Sequence, residues 1–153
     1  MTRDEYIQRA DTQLKLVRTE YELTQDEMAA CIGISKKTLV GVEKGRGSLG
    51  WTGAVALCSL FSQSSVLQNT FGGDMQDILK ALAFERVQPK YPKTMGGRVW
   101  WEETEQGSGW HIQRNYISRH YRVLTDDDRH VFSSFDLDAA RAAAAEYERE
   151  SSK

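Results

Sequence analysis

Four cations crowd one short stretch of this 153-residue chain: Lys36, Lys37, Lys44 and Arg46 lie between Gly33 and Arg46, against the single carboxylate of Glu43. Around them the charge is balanced, with eight Lys or Arg and eight Asp or Glu over residues 1–61 and a net charge of −2 for the whole chain. Such a focus suits contact with phosphates over one small face, where lysine and arginine displace the counterions of a polyanion. The mildly negative total argues against a protein that coats nucleic acid indiscriminately. His111, His120 and His130 raise the question of zinc. No carboxylate or thiolate accompanies them at a ligand spacing, so no metal is expected. The run Asp126–Asp128 lacks the glycine and closing glutamate of a calcium loop and reads as a solvated turn. Cys31 and Cys58 each fall singly inside an amphipathic pattern and are expected to be small core residues. No nucleophile, base and orienting group share a recognisable spacing, so neither catalysis nor a cofactor is expected.

The elements that must position the cations are helical. Ile7, Ala10, Leu14 and Val17 mark a first amphipathic helix over Tyr6 to Arg18. Thr24-Gln25-Asp26-Glu27 has the form of a capping box, opening a second helix with Met28, Ala29 and Ile32 inward and Gly33 as its stop. Ser35 offers an N-cap for a third helix through Lys44, with Leu39 and Val42 inward and Gly45 ending it. A fourth helix follows over Trp51 to Phe61, using Ala54, Val55, Leu57, Cys58 and Phe61, and a short fifth over Ser65 to Phe71. Asp74 caps a sixth, Met75 to Phe84, which is expected to be a connector or dimer seam. The spacing of the second and third helices around a tight glycine turn is that of a pair in which the second helix presents its N-terminal end to a major groove.

Hydrophobic spacing changes to alternation near residue 97, after Pro89, Pro92 and the pair Gly96-Gly97. Four antiparallel strands are expected over Arg98 to Glu103, Trp110 to Arg114, His120 to Leu124 and Arg129 to Phe135, then a helix capped by Asp136 and running to about Glu150. Alternation assigns Val99, Trp101, Ile112, Tyr121, Val123, Val131, Ser133 and Phe135 to the face that meets Leu137, Ala140, Ala144 and Tyr147 of that helix. Trp100, His111, Gln113, His120, Arg122, His130 and Phe132 then form the opposite, aromatic and polar face, expected to serve dimerisation or effector binding. The fold class is α+β: a helical domain over 1–72, a connector helix and linker over 73–96, and a sheet with one helix over 97–153.

The segment LKLVRTEYELTQDEMAACIGISKKTLVGVEKGRGSLGW resembles the XRE family of phage-repressor-like helix-turn-helix domains, over about residues 10–70. The resemblance implies a phosphate contact from Gln25 and base-edge contacts from the turn opened by Ser35 and holding Lys36, Lys37 and Thr38. It also implies backbone contacts from Lys44 and Arg46, and an ion bridge between Arg18 and Glu43 inside the domain. The sequence departs from the family at Gly41, where a polar side chain often reads a base. Glycine there costs about 1 kcal/mol against alanine inside a helix, so close approach to DNA or tight packing is expected to make it tolerable. The function implied is a cytoplasmic regulator, a repressor binding an inverted-repeat operator in double-stranded DNA as a homodimer. The alternative is an antitoxin that binds a toxin through its C-terminal domain and represses its own operon. No run approaches the roughly 20 apolar residues of a membrane span, and the opening MTRDEYIQRADTQ is too polar for a secretory signal.

Overall fold

Local capping starts most of the helices. In the computed structural model, which describes residues 1–90 and 99–153, Thr2 and Glu5 form a capping box that opens α1, Arg3–Glu20. Thr24 and Glu27 do the same for α2, Gln25–Ile32. The Ser35 hydroxyl accepts the Thr38 amide at the head of α3, Lys36–Glu43. α4, Gly50–Leu60, has no side-chain cap, and Asp11 of α1 instead accepts the Leu49 amide at 2.8 Å. Ser64 caps α5, Ser65–Phe71, and Asp74 caps α6, Met75–Ala83. Each cap satisfies amides that a helix start leaves without an internal partner.

Tyr6, Ala10, Leu14 and Val17 recur at three- and four-residue spacing on α1 and are fully buried. They make α1 the central element, packed against α3, α4 and α5. Its polar residues reach the ends of its neighbours. Arg3 donates to the Leu82 and Ala83 carbonyls at the C-terminus of α6, and Glu20 accepts from Ser64 and Ser65 at the N-terminus of α5. Both charges match the sign that a helix end favours. Two expectations are corrected here. Met75, Leu79 and Leu82 are buried in the same core as α1 and α4, so α6 completes the helical unit instead of standing apart as a connector over 73–96. Cys58 is buried as expected, but Cys31 is exposed because it points off α2 away from the core face held by Met28, Ala29 and Ile32.

The second unit is an antiparallel meander, β1-β2-β3-β4, with strands Trp101–Gln106, Trp110–Asn115, Tyr121–Thr125 and His130–Ser134, followed by α7, Leu137–Ser151. The chain is thus an α+β protein. α7 packs on β2, β3 and β4 around Ile112, Val123, Ala140 and Ala144. Polar contacts extend this small core: the Trp110 indole donates to Glu148 at 2.8 Å, and Arg141 binds Glu105. The first turn needs glycine at 107, since a Cβ there would fall 2.3 Å from the Trp110 ring. Pro92, Gly96-Gly97 and the expected strand start at Arg98 lie outside the described residues, and Val99 and Trp100 precede β1.

Two bulges change the faces. Between Glu103 and Glu105 the β1–β2 register shifts, so Trp101 pairs with Asn115 and joins the open face, not the helix face. A second shift within the β3–β4 pair sets Phe132 opposite Val123 and Ser133 opposite Arg122, reversing the expected sides of those two residues. Phe135 lies past β4 and is exposed. If α6 is integral to the helical core, Leu79→Ala should destabilise that unit by about 2 to 5 kcal/mol. Urea unfolding followed by helical ellipticity measures this, and a loss near zero would return α6 to the role of connector.

Candidate nucleic-acid interface

α2 and α3 are joined by Gly33, which at φ 82° takes the left-handed conformation that lets the Gly33 and Ile34 amides both close on the Ala29 carbonyl. The turn aims the two helix starts, and a triangle of polar groups fixes them. Glu43, the last residue of α3, accepts from Arg18 Nε at 2.5 Å and Arg18 Nη2 at 3.2 Å, and from Gln25 Nε2 at 2.9 Å. Arg18 also donates to the Leu23 carbonyl. The two charged side chains are 16% and 5% exposed. Burial works to raise the Glu43 pKa, but the hydrogen bonds of Arg18 and Gln25 and the charge of Arg18 outweigh it, and the carboxyl titrates below its usual range. Gln25, expected to reach a phosphate, therefore spends one amide hydrogen inside the domain and keeps the other.

The leading turn of α3 is also more engaged than its sequence suggests. Ser35 Oγ caps the helix and lies 2.8 Å from Thr38 Oγ1, so these two hydroxyls serve each other first. Lys36 Nζ sits 2.7 Å from the Asp26 carboxylate of α2, with both side chains exposed. With Glu43 held by Arg18 and Lys36 by Asp26, the members of the 33–46 cation cluster that have no ion-pair partner among the described residues are Lys37, Lys44 and Arg46. All three are exposed, and Lys37 and Lys44, seven residues apart, share one stripe of the helix. Gly41 lies between them, and a Cβ built there meets nothing within 4 Å, so tight packing does not explain it. Sequence reading missed Asp26, ten residues from Lys36, because only the helix crossing brings them together.

The open face of the second unit holds a stack and a bridge. Arg122 lies over the Trp101 ring at 3.7 Å, and His120 meets the edge of the same ring at 5.0 Å. Arg122 also donates twice to Gln113. The three histidines share the face without converging: His120 pairs with Ser118, His130 with Ser133, and His111 with two carboxylates. Among the described residues no three His, Cys, Asp or Glu side chains are arranged so that they could hold a metal ion. His111 Nδ1 lies 2.9 Å from Glu103 and Nε2 lies 3.1 Å from Asp128. Burial disfavours its charged form, yet the hydrogen bonds and charges of Glu103 and Asp128 prevail and raise its pKa. One end of this sheet is apolar. Val99, Ile117 and Phe135 are 77%, 74% and 77% exposed there, and the Tyr116 amide of the β2–β3 turn donates to the Trp100 carbonyl.

No helix among the described residues is long and apolar enough to cross a membrane. Comparison with known families, with curated proteins and with solved structures returns no match.

Two measurements check the polar groups. Replacing Arg18 or Glu43 singly by leucine should cost about 3 kcal/mol or more, because each leaves an uncompensated buried charge, and the double variant should cost less than the sum. Additive costs would show that the bridge contributes nothing. For His111 the folded pKa is raised, so its stabilisation is complete below about 6.5 and is lost as pH rises through the folded value. Glu103, held low, contributes above its unfolded value and loses that contribution only in acid. Hydrogen-exchange protection of β2 and β3 should thus decline as pH rises past neutrality, after correction for intrinsic exchange, and His111→Gln should abolish the decline. An identical slope in the variant would remove His111 as its cause.

Proposed function

We propose that this protein is a sequence-specific DNA-binding transcriptional regulator, a repressor that acts in the cytoplasm as a homodimer on an inverted-repeat operator. The supporting observation is the α2–Gly33–α3 pair, locked from behind by Arg18, Gln25 and Glu43, with an exposed leading turn and with Lys37, Lys44 and Arg46 lacking carboxylate partners. Lys36 and Lys37 are assigned to base edges, where a lysine suits guanine O6 or N7. Lys44, Arg46 and the second amide hydrogen of Gln25 are assigned to phosphates, Gln25 from a helix start whose dipole favours an anion. Ser35 and Thr38 shape the turn.

The charge of the two units supports placing the nucleic acid on the helices. Residues 1–90 carry eleven cations and eleven carboxylates, whereas 99–153 carry seven against eleven, so a polyanion is repelled by the sheet. A single eight-residue helix reads too few base pairs to locate a site, and a two-fold dimer with reading heads about 34 Å apart multiplies discrimination. Occupying an operator is enough to block transcription, which makes repression the simpler mode. The reading assigns no catalysis and no cofactor. The exposed Val99, Ile117 and Phe135 favour one second reading, an antitoxin whose C-terminal unit grips a toxin while its helices repress the shared operon.

Selection of randomised duplexes by the full-length protein tests the proposal, with enrichment of an inverted repeat expected and no enrichment overturning it. Salt titrations of variants on the selected and a scrambled duplex then sort the contacts. Alanine at Lys44 or Arg46 should weaken both duplexes alike and flatten the salt slope by about one unit per charge. Alanine at Lys36 or Lys37 should weaken the selected duplex more, by about 1 to 3 kcal/mol. Equal losses on both duplexes would move these lysines to the backbone.

A further inference from the structure

We infer that Gly41 is a specificity-determining position of α3: a notch kept free of any side chain so that a DNA duplex seats closely against the helix between Lys37 and Lys44. The inference rests on the DNA-binding reading and starts from a cost the fold does not explain. Inside a helix, glycine is the least favourable residue after proline, because it surrenders the most backbone freedom on folding. Two other glycines lie within the described helices, and each has an internal reason. Gly50 adopts φ +66°, a conformation that L side chains rarely take, and a Cβ at Gly53 would approach the Leu49 Cβ to 3.0 Å. Gly41 has neither reason. Its backbone is outside the left-handed region and its missing Cβ points into open space. Nothing among the described residues therefore requires its side chain to be absent, and the requirement is assigned to a surface that meets the helix from outside.

Charge identifies that surface. Lys37 and Lys44 lie four residues before and three after Gly41, on the stripe opposite the buried Leu39 and Val42, and neither has a carboxylate partner. Arg46 follows, its backbone amide closing on the Gly41 carbonyl at 2.8 Å, which ties the Arg46 backbone to the residue of the notch. Cations on both sides of a gap one side chain deep fit a polyanion whose sugar-phosphate wall or base edge comes into van der Waals contact with the helix backbone. Base edges are read only when the helix enters the groove, whereas phosphate contacts carry no sequence information, so the notch bears most on the sequence-matched complex.

The test uses the full-length protein, a duplex selected from randomised DNA and a scrambled duplex of the same length, with Gly41→Ala and Gly41→Leu as variants. Both residues are good helix formers that open space accommodates, so both variants should melt above the wild type. Affinity for the selected duplex should nevertheless fall, by about ten-fold for alanine and more for leucine, with little change on the scrambled duplex; a loss of this size is what one base contact contributes. A more stable protein that binds its site less well is the expected result. If the variants bind the selected duplex as tightly as the wild type, the notch is overturned and the DNA-binding reading stands. If they melt lower than the wild type, glycine serves the fold and the inference fails. If the wild type enriches no duplex at all, the DNA-binding reading fails, and the notch with it.

Discussion

The Glu43 carboxylate is the joint of the helical unit. It terminates α3, takes two hydrogen bonds from Arg18 of α1 and one from Gln25 at the start of α2, and so ties three helices at a single nearly buried group. Helices of eight residues, the length of both α2 and α3, have no stability of their own in water. Their mutual angle depends on what they are packed against and on what holds their ends. A carboxylate removed from water is costly unless its lone pairs are used, and here three donors meet it. The same arrangement divides Gln25 between two tasks. One amide hydrogen holds the domain together, and the other remains for whatever approaches the α2 N-terminus.

α1 gives this joint something rigid to pull against. Its apolar stripe fills the core, while Arg3, Asp11, Arg18 and Glu20 each reach the end of a different element. The second unit has a smaller core, four fully buried residues between one sheet face and α7, and compensates with pairs at its edges. Trp110 with Glu148, Arg141 with Glu105, and His111 between Glu103 and Asp128 are of this kind. The price is a dependence on protonation that the helical unit lacks at neutral pH, since its central pair is a guanidinium and a carboxyl held low.

α3 shows how fold and proposed function share eight residues. Leu39 and Val42 serve the core, Glu43 the joint, and Ser35 and Thr38 the cap. Lys36 is balanced by Asp26, which lowers the unsatisfied charge of the surface and keeps one lysine oriented. Among the described residues the Lys37 and Lys44 side chains have no ion-pair partner, and a Cβ at Gly41 would meet nothing within 4 Å. These three residues form a continuous stripe, and in the proposed function that stripe is what meets DNA.

How much of this was legible follows from the range of the interactions. Capping boxes at Thr24 and Glu27, the stop at Gly33 and the cap at Asp74 join residues two to four apart, so their partners are readable in the chain, and α5 spans the expected Ser65 to Phe71. The Arg18–Glu43 bridge came from a family resemblance and not from spacing. Other features depend on distances the sequence does not contain. Cys31 fits an amphipathic pattern, yet α2 is too short for the pattern to say which edge of the stripe is covered. Asp26 meets Lys36, and Gln25 meets Glu43, only because two helices cross at a particular angle. On the sheet, alternation alone placed Trp101 and Phe132 on the wrong sides, because one extra residue at each bulge reverses every side chain beyond it. The sequence by itself determined the order of the elements, the caps at Thr24, Ser35, Asp74 and Asp136 and the cation cluster, because caps and charge spacing depend on residues within a turn or two of chain, whereas the caps at Thr2 and Ser64 were not read from it. Tertiary structure alone decided which of the clustered cations remain unpaired, which face each strand residue occupies and that a Cβ at Gly41 would meet open space, since these depend on groups brought together by packing.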